Sequence, residues 1–115
     1  MRKAITALVL FILAGCTTPG DLLKGDPAVS KITNKDPKAF ALCVYPDWQE
    51  YQSTATMSET TDGYRLVSGG EMNGPTNDVL DIKRTASGST VKLYQRMAWQ
   101  QIGRSKVTES LNRCL

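Results

Sequence analysis

Ser89-Thr90-Val91-Lys92-Leu93-Tyr94-Gln95-Arg96-Met97 alternates residue by residue. Successive side chains of an extended strand point to opposite faces. Val91, Leu93, Gln95 and Met97 therefore fall on one side, and Lys92, Tyr94 and Arg96 on the other. The spacing predicts a strand whose apolar side meets a core and whose Lys-Tyr-Arg side faces water or a partner. Ala86-Ser87-Gly88 is a tight connection to a preceding strand from Asp78 to Thr85, which carries Val79, Leu80 and Ile82. Further upstream, Thr61-Asp62-Gly63 is a turn signal between strand-like Gln52 to Thr60, with Ala55 and Met57, and a strand from Tyr64 to Ser68. Gly69-Gly70 and Asn73-Gly74-Pro75 punctuate a longer loop. Short connections between consecutive strands favour an antiparallel meander.

Helical signals flank this meander. Asp36 before Pro37 is an N-cap followed by proline at the first helical position. Phe40, Cys43 and Val44 share one helical face, and Trp48 and Tyr51 continue it past Pro46-Asp47, giving one helix or two short turns across 37–51. At the other end Ser105 is a candidate cap. Val107, Leu111 and Cys114 fall at i, i+4 and i+7, with Lys106, Glu109, Asn112 and Arg113 on the wet face. Trp99 and Ile102 lie in the connection, where they are expected to seal the sheet edge. The expected fold is α+β: a small antiparallel sheet of three to four strands, flanked by an N-terminal and a C-terminal helix.

The amino end is of a different kind. Met1-Arg2-Lys3 is a positive n-region, and Ala4 to Leu13 is an apolar run of signal-peptide length. The run stops at Gly15-Cys16, short of the ~20 residues a spanning helix needs. Leu13-Ala14-Gly15-Cys16 resembles the lipobox of bacterial lipoproteins. That resemblance covers only the first 16 or so residues. It implies a diacylglyceryl thioether on Cys16, cleavage between Gly15 and Cys16, and acylation of the new amine. Each buried CH₂ of an acyl chain contributes about 0.8 kcal/mol, and stable anchoring takes two chains, so two or three chains on one residue suffice. With Thr17 rather than Asp after the cysteine, the resemblance implies sorting to the periplasmic face of the outer membrane.

Cleavage changes the composition. Of 14 basic side chains Arg2 and Lys3 leave with the signal, so 12 face 11 acidic ones and the net charge falls from +3 to +1. Such a chain has no electrostatic footprint for nucleic acid. With Cys16 acylated, Cys43 and Cys114 remain as an even pair in an oxidising compartment, where a disulfide is the default. It would close a loop of 71 residues, worth roughly 4 kcal/mol by the chain-entropy argument. The expected organisation is a signal over 1–15, a lipidated flexible tether over 16–36 and one domain over 37–115. The tether has a root-mean-square reach of roughly 25 Å. Leu22-Leu23, Val29 and Ile32 are its apolar residues, and its second half is able to dock on the domain.

Little of the chain points to catalysis. It has no His, so the common general base, proton shuttle and metal ligand is missing. There is no C-x-x-C and no carboxylate spacing of a calcium loop, so no metal is expected. The covalent lipid on Cys16 is the only expected cofactor-like group. Asp47 with Glu50, and Asp78 with Asp81, are the carboxylate pairs a glycoside hydrolase could use; solvated surface is the commoner meaning of both. Glu71-Met72-Asn73-Gly74 lacks the ending of a phosphate loop. Lys92, Tyr94 and Arg96 form the candidate surface for an envelope protein or peptidoglycan, since Tyr and Arg are favoured at interface hot spots. The functional expectation is a non-catalytic binding or structural lipoprotein. Accessory subunits of envelope or secretion machines and exclusion or inhibitor lipoproteins are alternatives, and a carboxylate-based cell-wall hydrolase is a weaker one.

Overall fold

A computed structural model describes residues 18–69, 76–96 and 105–115. The signal, Cys16, residues 70–75, Met97, Trp99 and Ile102 lie outside the described residues. The elements are α1 (Pro19–Leu23), β1 (Val29–Thr33), α2 (Pro37–Tyr51), β2 (Thr56–Thr60), β3 (Gly63–Gly69), β4 (Thr76–Thr85), β5 (Gly88–Gln95) and α3 (Ser105–Cys114). The fold is α+β. Its sheet has five strands in the order β1-β5-β4-β3-β2, with every neighbouring pair antiparallel.

The sheet is thus larger than the three to four strands expected. The meander β2 to β5 follows the reading of the sequence, and the fifth strand comes from the segment assigned to the tether. Val29 pairs with Leu93 and Thr33 with Ser89, so the folded unit includes residues well before Pro37. The physical reason is an open edge: β5 would otherwise expose a row of unpaired backbone groups. Satisfying them needs only five extended residues, and Val29-Ser30-Lys31-Ile32-Thr33 is rich in β-branched side chains.

From β1 at one edge the chain must reach β2 at the other, about 19 Å away across four strand spacings. Helix α2 makes that crossing. Its 15 residues rise about 22 Å. The Asp36 carboxylate caps it by accepting from the Ala39 amide at 2.7 Å. It continues unbroken through Pro46. The proline removes the bond to the Leu42 carbonyl, but both residues are exposed, so water can take the freed group.

Phe40, Ala41, Val44 and Trp48 of α2 and Val107, Leu111 and Cys114 of α3 pack onto Leu66 of β3, Leu80 and Ile82 of β4, and Val91 and Leu93 of β5. Cys43 and Cys114 form a disulfide, Cα to Cα 5.9 Å, that joins α2 to α3. At the β1–α2 junction the Thr33 hydroxyl donates to the Leu115 carbonyl at 3.0 Å, and the Lys35 ammonium donates to the Cys114 carbonyl. A cation there complements the negative end of the α3 dipole. Two glycines permit close strand approach. A Cβ on Gly63 would stand 1.8 Å from the Ile82 carbonyl oxygen, and one on Gly88, at φ +150°, 2.2 Å from that of Thr33.

Candidate functional site

The register of β5 divides the expected Lys-Tyr-Arg stripe into three environments. All three residues point away from α2 and α3, as the alternation requires. Lys92 is exposed, but Tyr94 is buried at 9% exposure, which corrects its assignment to a wet face. It pairs across the ladder with fully buried Val79. Helix α1 packs against β4 and β5, so this end of the outer face is covered. Arg96 is half-buried and donates to the Asn77 carboxamide oxygen from Nη2 at 2.7 Å and Nε at 3.3 Å. The three do not form a continuous contact surface.

Toward the β4–β5 turn the same face is charged. Asp81, only 6% exposed, accepts from Arg65 Nη2 at 3.2 Å and Nε at 3.3 Å, and Lys83 Nζ lies 3.9 Å away. Lys92 is its cross-strand neighbour on β5. One carboxylate thus faces three cations. Ile32 of β1 extends this surface at the edge and is 76% exposed.

On the other side of the sheet α2 and α3 enclose a cleft of about 500 Å³, lined by Asp47, Glu50, Tyr51, Lys106, Glu109, Ser110 and Arg113. Its walls follow from two helix periods. Asp47 and Glu50 are three apart on α2, and Lys106, Glu109 and Arg113 recur every three or four residues on α3, so each set shares a face. The disulfide then sets the two faces opposite each other. Arg113 and Asp47 form an ion pair across the cleft. The sequence pairs Asp47 with Glu50, but its pattern marks Lys106, Glu109 and Arg113 only as the wet face of α3. Cys43 one turn before Asp47, with Cys114 next to Arg113, is the signal that brings them together.

The two carboxylate pairs fare differently. Asp78 and Asp81 lie an odd number of residues apart on β4 and so point to opposite faces. Asp78 is fully buried on the helix side, where the Ser68 hydroxyl donates to it at 2.7 Å and the Gln95 amide at 3.0 Å. These two cannot act on one bond. Asp47 and Glu50 do share the cleft, with Asp47 held by Arg113. Among the described residues no group of three or more His, Cys, Asp or Glu is arranged to hold a metal, and no helix is long and apolar enough to cross a membrane.

Comparison with protein-family models, with curated proteins and with solved structures finds no match for this chain.

Proposed function

We propose that this chain is a lipoprotein, anchored through Cys16 on the periplasmic face of the outer membrane, with a non-catalytic binding or structural role in the envelope. The observation that carries this reading is the run Leu13-Ala14-Gly15-Cys16 behind a basic and then apolar leader. The disulfide supports it from a second direction: it accounts for Cys43 and Cys114 and leaves Cys16 as the one cysteine of three without that role. The α2–α3 cleft is the candidate binding surface, in place of the Lys92, Tyr94, Arg96 stripe. Three acids and two bases line it. That amphoteric wall suits a partner that presents both amines and carboxylates, as peptidoglycan stem peptides and protein surfaces do.

The anchor is tested by Cys16→Ser, read by metabolic labelling with a fatty-acid analogue and by membrane fractionation. Label and membrane association should both be lost, and unchanged association refutes the anchor. The binding role is tested by co-sedimentation of the lipidated protein with purified peptidoglycan, and by cross-linking in intact envelopes. A Glu50→Lys/Arg113→Glu variant should lose the captured partner. Retained capture by that variant moves the binding surface elsewhere, and cell-wall release by the purified protein would overturn the non-catalytic assignment.

A further inference from the structure

The position of α1 bears on how the domain stands relative to its membrane, given the lipid-anchor reading proposed above. Thr18 is the N-cap of α1: its hydroxyl accepts from the Asp21 amide at 3.2 Å, and its own amide donates to the Asp21 carboxylate at 3.0 Å. Only Thr17 separates Thr18 from Cys16. Two chain steps span at most about 7 Å, against roughly 25 Å of reach for the 20-residue tether expected from the sequence. A lipid on Cys16 therefore holds the start of α1 at head-group depth. Helix α1 packs on β4 and β5, and Val79 and Tyr94 are the buried apolar residues those strands turn away from α2 and α3.

We propose that this outer face of the sheet is a membrane-facing surface, held against phospholipid head groups by the Cys16 lipid together with Lys83, Lys92 and Ile32. Charge and hydropathy select this face. Lys83 and Lys92 border a groove at the β4–β5 end, together with Asp62 and Asp81. Asp81 is already engaged by Arg65, and Arg65, Lys83 and Lys92 outnumber Asp62 and Asp81, which leaves an excess cation to meet lipid phosphates. Juxtamembrane cations favour anionic leaflets. Ile32 is the most exposed large apolar side chain among the described residues and lies at the edge of the same face. The opposite side shows the reverse balance, with acids outnumbering bases in the cleft between α2 and α3. Membrane contact by the outer face leaves that cleft turned toward the periplasm.

The test uses the full lipidated protein in vesicles of phosphatidylethanolamine and phosphatidylglycerol that carry a lipid-borne quencher. A fluorophore is attached to a cysteine introduced at Ser30, on the outer face, or at Gln49, on exposed α2. The closed disulfide and the acylated Cys16 leave the new thiol as the one that labels. The Ser30 label should be quenched several-fold more than the Gln49 label. A spacer of about 20 Gly/Ser residues before Thr17, with a reach near 25 Å, should remove the difference, and Lys83→Glu/Lys92→Glu should reduce it. Equal quenching, or stronger quenching at Gln49, overturns the orientation. The mass of the amino-terminal peptide from the same preparation separates the two failures. A lipidated protein with equal quenching refutes this inference alone, whereas a chain without lipid on Cys16 refutes the anchor as well.

Discussion

Replacing both disulfide cysteines, Cys43→Ala/Cys114→Ala, should remove about 4 kcal/mol of stability. The bridge closes a separation of 71 residues. The chain-entropy relation assigns such a loop about 15 cal/mol/K, or roughly 4.4 kcal/mol at 25 °C. Marginal stability of 0.05–0.15 kcal/mol per residue gives a domain of this size roughly 5–15 kcal/mol in total, so the bridge supplies between about a third and nearly all of it. Alanine is the replacement of choice because Cys114 is fully buried, and a serine hydroxyl there would add a burial cost of ~1–3 kcal/mol. The assay is urea unfolding followed by tryptophan fluorescence, with Tm measured in parallel. At ~4–8 °C per kcal/mol for a domain of this size, Tm should fall by about 18–35 °C. A loss below about 1 kcal/mol refutes the loop-entropy reasoning.

Gly63→Ala should destabilise by about 3 kcal/mol or more, since its Cβ would meet the Ile82 carbonyl oxygen at 1.8 Å and backbone cannot yield as a side chain can; chemical denaturation measures it. Leu111→Ala, at a fully buried position of α3, should lose about 2–5 kcal/mol by the same assay, whereas Ile32→Thr, at 76% exposure, should stay within about 0.5 kcal/mol. The Asp21 carboxyl is held below its ordinary 3.8 by the Thr18 amide and then the Thr18 hydroxyl, with Lys24 adding a small pull against slight desolvation. A depressed folded-state pKa stabilises above the unfolded value and is lost as pH falls through the folded one. The Thr18 and Asp21 amide resonances should therefore keep their capped positions above pH 3.8 and move toward uncapped values only at more acid pH.

The parts of the fold that were legible in the sequence are those where one face alone is apolar. Val91 and Leu93 on β5, and Val107, Leu111 and Cys114 on α3, lie in the core as their spacing requires. Strand β1 carries no alternating signal because its burial is confined to its two ends, with Ser30, Lys31 and Ile32 exposed. Its role is to satisfy backbone groups of β5, and backbone pairing leaves no trace in side-chain pattern. The burial of Tyr94 was hidden for a related reason. Alternation tells which face a side chain takes but not whether another element covers that face. Leu22 and Leu23 were the sign that α1 would. The cleft was half visible. Each helix showed its polar face, and only the cross-link between Cys43 and Cys114 makes the two faces neighbours.

The joint where Thr33 and Lys35 meet Leu115 and Cys114 has a consequence for the order of folding. Those hydrogen bonds join residues 82 and 79 positions apart, and β1 must also wait for β5 to gain its partner. A chain threaded amino end first through a membrane pore can form α2 and the early hairpins as they emerge. It cannot close the sheet or tie its two ends until α3 arrives. Such long-range closure is slow compared with local helix and hairpin formation. Were the chain exported as proposed above, the arrangement would keep the emerging polypeptide open during passage and make completion of the fold a late event. A peptide tag fused at Leu115 would load that last-forming joint, so a tag placed in a surface loop is the better choice for following the protein in cells.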